Sequence, residues 1–288
     1  MDEDSGLQLK RESVEPKPHG TERGSIKNSV IIFSKVPVAG TVKTRLFQHS
    51  VLDAEDAALL AEAMLKDTIA LSAESNASEI VIGFTPADER EYMERIIREV
   101  VKETHLKRPI TCFPQNGASF DERFGSVVSA AFAIGSENLV ILGADLPYLS
   151  PDIINRAFSF LMEDRSDNSI VLGPAGEGGI YLVGITQHFD PEYFSKNQLF
   201  SGGVELSQFI KLCKNKGTVL KLLPAFTDVD IEGDLVSLLL YIDAMKIAKK
   251  FEGFQFPSYT ADVIKQLRLI VLENRGETRH RRIGVIRE

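Results

Sequence analysis

From Ser29 to about Tyr241, short apolar runs alternate with amphipathic stretches, and that alternation restricts the chain to one class of fold. The runs at 30–33, 79–84, 110–113, 139–144, 169–173, 180–185 and 218–224 have the length and β-branched content of strands. Between them, 53–74, 88–104, 120–135, 151–162 and 203–216 have helical spacing. Asp53 is placed to cap the first of these with Asp56 in its opening turn, and Pro151 follows Ser150 in the order that favours a helix start. The expected architecture is a doubly wound α/β domain, Rossmann-like, with a mainly parallel mixed sheet. Runs 169–173 and 180–185 are joined by only a short loop, so they are expected to form an antiparallel hairpin or a local departure from the parallel pattern.

Residues 1–28 are polar, with no apolar period, and are expected to form a flexible leader. The α/β domain is expected over 29–241. A C-terminal extension, 242–288, follows, with two helical patterns and a loose basic end. Leu238, Leu239, Ile242 and Met245 give the first of these patterns an apolar face, which suits either a homodimer or a cap over the sheet.

The chain carries a formal charge of −8 and is 43% apolar, enough for a large core and a poor match to general nucleic-acid binding. Cys112 and Cys213 are far apart and outside any CxxC pair, so no disulfide framework is expected. No apolar run approaches the ~20 residues that span a bilayer, and no signal-peptide core opens the chain; the expected compartment is the cytoplasm.

Against this acidic background, residues 23–52 contain no carboxylate. The stretch VIIFSKVPVAGTVKTRL (30–46) leaves a strand through a loop that contains Gly40 and carries Lys35, Lys43 and Arg45. Ligands of open α/β sheets bind beyond the carboxyl ends of strands, so a cationic loop there suits phosphates. It is not a P-loop, because Val42 precedes Lys43 where that motif requires glycine. A turn beginning at Leu46 would let Lys43 and Arg45 converge.

Four further segments carry candidate chemistry. Asp145 ends LVILGAD, where a carboxylate suits Mg²⁺ bridging phosphates or a simple turn. Asp228 and Asp230 share one face of FTDVDIEGDL and would add oxygen ligands, or cap the next helix. Glu177, Gly178 and Gly179 form a low-bulk turn able to approach a sugar or phosphate closely, or a plain hairpin turn. Gln115, with Asn116 and Arg123 nearby, offers an amide whose donor and acceptor suit a base edge, or a polar turn before a helix.

FSKVPVAGTVKTRL, QNGASFDERF, GADLPYLSPDII, LGPAGEGGIYLVGI and DVDIEGDL, in this order over about 28–241, resemble the motifs of the GT-A-type transferase family known as domain of unknown function 2064. The resemblance implies the nucleotide-diphospho-sugar transferase fold. It also implies kinship with guanylyltransferases of 2-phospholactate and molybdenum cofactor synthesis. The implied activity is a glycosyl or nucleotidyl transfer from a nucleotide-sugar or nucleoside triphosphate to a small acceptor, with Mg (or Mn). In it, Asp145 would anchor the metal with Asp230 as partner, and Lys35, Lys43 and Arg45 would grip phosphates, with Gln115 near the base. Three positions depart from the family pattern: Glu177 stands for aspartate, Ile180 for a frequent aromatic, and Thr41 for a basic residue. The Glu177 departure motivates an alternative, a non-catalytic nucleotide-binding regulator that kept the fold.

Overall fold

The computed structural model describes residues 26–163, 168–272 and 281–286. The leader expected at 1–28 lies outside these up to residue 25, as do 277–280 and 287–288 of the basic C-terminal end.

Seven strands form one sheet: β1 (Asn28–Lys35), β2 (Glu79–Thr85), β3 (Ile110–Pro114), β4 (Asn138–Leu142), β5 (Ser169–Pro174), β6 (Ile180–Thr186) and β7 (Val219–Leu222). Their order is β3-β2-β1-β4-β6-β5-β7. Only β6 runs against the others, pairing antiparallel with β4 and β5, as the short connection required. Alternate side chains of β1 enter opposite layers. Val30 and Ile32 pack under α2 (Ala54–Glu74), α3 (Arg90–Thr104) and α5 (Pro151–Glu163). Ile31 and Phe33 pack under α4 (Phe120–Ala133), α6 (Glu192–Lys196) and α7 (Glu205–Lys216). The double winding follows from this alternation. Asp53 caps α2 in a full capping box with Asp56, as the spacing predicts.

Helix α8 (Glu232–Ile247) runs through residues 241–242 without a break. Leu238, Leu239, Ile242 and Met245 are all buried in the chain's own core, so this face is not free for a dimer. The second helical pattern is shorter than expected. Helix α9 (Ser258–Gln266) stops before Arg268, whose left-handed φ of 54° ends the run. The apolar residues beyond, expected to be helical, form β8 (Leu269–Val271), which pairs with β9 (Ile283–Val285). That pairing gives structure to residues the sequence suggested were loose. Helix periodicity could not separate these few β-branched residues from a helix end.

Helix α9 docks on α2 through Asp67, a 6% exposed carboxylate accepting the backbone N–H of Tyr259 (3.1 Å) and Thr260 (2.8 Å). Burial outweighs these two bonds and pushes its carboxyl up to about 6. The fold therefore favours the protonated form. The group's contribution is full below pH 4 and declines as pH rises through 6, by up to about 3 kcal/mol. Urea unfolding of the wild type and Asp67→Asn from pH 4 to 8 should show the difference moving in favour of the Asn variant as pH rises. A difference independent of pH would mean that the carboxylate is as well solvated folded as unfolded.

Candidate functional site

A cleft of about 640 Å³ opens along the carboxyl edge of β1, β4 and β3. Its floor at the centre begins where β4 ends at Leu142, leaving Gly143, Ala144 and Asp145 to turn over the sheet edge.

Lys43 has φ 48° and ψ 38°, the left-handed region that non-glycine residues seldom adopt. Helix α1 (Thr44–His49) starts directly after it, so the turn expected at Leu46 begins two residues earlier. The convergence then follows. Lys43 Nζ, on a side chain only 6% exposed, lies 2.6 Å from Asp145 Oδ1 and donates to the Val229 carbonyl at 2.5 Å. One turn of chain away, Arg45 Nη1 lies 2.6 Å from Asp230 Oδ2. The first pair joins residues 102 apart in sequence and the second residues 185 apart. Each cation thus meets one of the two carboxylates over the sheet edge. The Val229 N–H also donates to the Asp145 carbonyl at 2.9 Å, tying the two acidic segments directly.

Asp228 lines the same cleft. Burial pushes its carboxyl up, and the negative charges of Asp145 and Asp230 push the same way, opposed by Lys43. Among the described residues, no group of three or more His, Cys, Asp or Glu side chains stands ready to hold a metal ion. The three aspartates expected as a metal set share the cleft, but Asp145 and Asp230 are engaged by cations. The segment carrying Asp228 and Asp230 is suspended by aromatic hydroxyls: Tyr148 Oη donates to Thr227 O (2.5 Å) and Tyr181 Oη to Pro224 O (2.9 Å). Burial raises the pKa of both tyrosines, so they remain neutral donors.

The other expected residues divide. Lys35 lines the cleft, with Nζ 3.4 Å from the Thr41 carbonyl. Gln115 also lines it, but its amide N–H₂ is spent on the carbonyls of Ser34 (3.0 Å) and Gly83 (2.9 Å). Only its oxygen remains for a ligand, which corrects the expected donor-and-acceptor edge. Gly40 sits in the preceding turn at φ 79°, away from the cleft lining. Of the expected acceptor turn, only Gly179 lines the cleft; Glu177 is exposed at φ 56°, and Gly178 packs against Val204.

The cleft also has walls that sequence reasoning missed. Phe33, Phe120 and Phe200 line it, with Phe120 ring centroids 5.3 and 5.1 Å from the other two. Phe120 starts α4, fixed by a capping box between Ser119 and Glu122. Gly117 makes the approach to that helix possible, with φ 135° and space for a Cβ only 2.5 Å from the Glu122 Cβ. Phe200 is held by Asp121, a 1% exposed carboxylate that accepts the N–H of Phe200 (2.8 Å) and of Ser201 (3.1 Å). Arg123 and Glu205 complete the polar lining. Phe33 and Phe120 were visible as apolar residues beside polar motifs. Nothing local marks Phe200 or Glu205, which reach the cleft by tertiary packing.

The solved structure of a provisionally assigned nucleotide-diphospho-sugar transferase from Desulfovibrio desulfuricans G20 superposes with a TM-score of 0.64 at 23% identity. The match covers 84% of this chain and 98% of that one. A cytidylyltransferase from Leptospira borgpetersenii matches at 0.46 and 11% identity, over 84% and 94% of the two chains. The 4-diphosphocytidyl-2C-methyl-D-erythritol synthase of Anaerococcus prevotii matches at 0.49 and 12%, over 76% and 99%. No curated protein matches the sequence significantly. The first likeness shows the fold expected from the sequence, that of the nucleotide-diphospho-sugar transferases. Residues 68–199, from α2 to the edge of the aromatic wall, match the family described as "Uncharacterized protein conserved in bacteria (DUF2064)", the family that the sequence motifs resemble.

Proposed function

We propose that this chain is a divalent-metal-dependent transferase that uses a nucleoside triphosphate or a nucleotide-sugar. The observation that carries the reading is the meeting of Lys43 with Asp145 and of Arg45 with Asp230 at one sheet edge, each at 2.6 Å. Phosphate oxygens would take over the two cations, and the aspartates they release would then hold the metal.

The donor set fits Mg²⁺ or Mn²⁺. Mg²⁺ commonly binds one or two carboxylates and completes its shell with substrate phosphates and water, so a ready three-carboxylate cage is not required. Asp145 and Asp230 are the expected ligands and Asp228 the nearby third. A bound metal neutralises charge on the phosphates and on the leaving group. Lys43 and Arg45, with Lys35 at the rim, would stabilise the same charge. Either an acceptor phosphate attacks the α-phosphorus and expels pyrophosphate, or an acceptor hydroxyl attacks the sugar carbon and expels a nucleoside diphosphate.

The sheet order supports one direction for the nucleotide. Gln115 follows β3, Lys35 ends β1, Asp145 follows β4 and Gly179 precedes β6. At about 4.8 Å per strand, β3 and β6 are roughly 19 Å apart. The base lies at the Gln115 end, the phosphates centrally and the acceptor beyond them. Calorimetric titration of nucleoside triphosphates and nucleotide-sugars, with and without Mg²⁺, should find one class bound at least about tenfold more tightly with metal. Mass spectrometry on an acceptor panel then distinguishes release of pyrophosphate from release of diphosphate. Binding without turnover across that panel would favour the regulator, and no nucleotide binding at all would defeat both readings.

A further inference from the structure

The cleft is charged unevenly. Of its cations, Lys35 ends β1, Lys43 lies in the loop that follows, Arg45 is in α1 and Arg123 in α4. At the far end the lining changes to Gly179, Ile180, Phe200 and Glu205. Glu205 is half-buried at the start of α7, and among the described residues no cation pairs with it. Val204 beside it packs on Gly178, which sets α7 against the turn before β6. Phe120 stays 41% exposed in the cleft even though its neighbours Phe33 and Phe200 are close enough to cover it. Buried Asp121 spends its hydrogen-bonding capacity on Phe200 and Ser201, so this wall is built to hold its position.

We propose that this end is the acceptor subsite, and that it selects a neutral or cationic acceptor with an apolar face and a hydroxyl or amine directed at Glu205. The inference rests on the transferase reading above. An unpaired carboxylate in a half-buried setting repels a second anion and accepts a hydrogen bond from O–H or N–H, more strongly from an ammonium. Phe120, Phe200 and Ile180 offer apolar surface and ring faces to the body of the ligand. An acceptor carrying a carboxylate or phosphate here would face the Glu205 charge, so of the two transfers above this subsite suits the one to a hydroxyl. The expected acceptor pocket at Glu177 and Gly178 thereby moves to Glu205.

The test uses the full chain and three probes of one shape: benzylamine, benzyl alcohol and phenyl phosphate, followed by ligand-observed NMR in the presence of saturating nucleotide and Mg²⁺. Benzylamine and benzyl alcohol should bind, and phenyl phosphate should not. Glu205→Gln should weaken benzylamine about fivefold or more while changing benzyl alcohol less. Glu205→Lys should admit phenyl phosphate, and Phe120→Ala should weaken both neutral and cationic probes. Nucleotide affinity measured on each variant reports separately on the phosphate end, so a failure of the transferase reading appears there and not in the probe series. The proposal is overturned if the wild type binds neither benzylamine nor benzyl alcohol at millimolar concentration. It is equally overturned if Glu205→Gln leaves benzylamine unchanged, or if phenyl phosphate binds the wild type as well as the amine does.

Discussion

Asp145→Asn should lower kcat by about 10²–10³-fold, the range typical for loss of one preorganised electrostatic group at a reacting centre. The substitution is almost isosteric and keeps an oxygen that can still accept from Lys43 Nζ. Lys43 also keeps its second partner, the Val229 carbonyl at 2.5 Å, so its ammonium is not left bare. The backbone bond from Val229 N–H to the Asp145 carbonyl is untouched. Asp145 itself is 48% exposed, which limits what its charge contributes to folding. Loss of the pair should therefore cost about 1 kcal/mol or less, a Tm change of about 2–4 °C. The expected result combines lost turnover with a nearly unchanged melting curve, and the advantage of Mg²⁺ in nucleotide titrations should fall with it. Wild-type turnover in the Asn variant would remove Asp145 from the metal site. A collapse in Tm would make it a structural residue.

Much of this site was legible in the sequence because its parts lie at strand ends, where period-two runs stop. Asp145 follows such a run, and Lys35 closes another. The meeting of Lys43 and Arg45 with the aspartates depended on a turn, and the turn depends on a left-handed φ at Lys43. That conformation carries no residue signature when the residue is lysine, so the sequence could only pose it as a condition. Gln115 shows a second limit. Its type suggested a base reader, but the carbonyls of Ser34 and Gly83 hold both donors, and they lie on β1 and β2, 81 and 32 residues away. Phe200 and Glu205 show a third. They enter the cleft only because buried Asp121 fastens the loop before α7 to α4, a contact 79 residues long. The β8–β9 pair escaped for the opposite reason: three-residue strands are too short for any period to register.

Gly173→Ala should be strongly destabilising. A Cβ at Gly173 would lie 2.3 Å from the Tyr181 ring, far inside van der Waals contact. The ring cannot easily retreat. Tyr181 is 5% exposed, meets Phe226 edge-on with centroids 5.6 Å apart, and is tethered by its hydroxyl to the Pro224 carbonyl. Overpacking of this kind costs about 1–3 kcal/mol, and a shift of about 2–4 °C in Tm accompanies each kcal/mol. The effect should reach function as well. Residues 223–230 have no regular secondary structure and hang from a few bonds: Leu223 and Phe226 on β5, Pro224 on Tyr181, Thr227 on Tyr148 and Val229 on Asp145. Displacing Tyr181 shifts that string and, with it, Asp228 and Asp230. Nucleotide affinity in the presence of Mg²⁺ should drop in Gly173→Ala beyond what partial unfolding explains. Gly176→Ala is the control: three residues on, its Cβ would meet nothing within 4 Å, so stability should stay within about 0.5 kcal/mol of wild type. Equal stability of the two variants in urea unfolding would mean that Tyr181 has a second position, and the string of contacts to Asp230 would then not be what fixes the site.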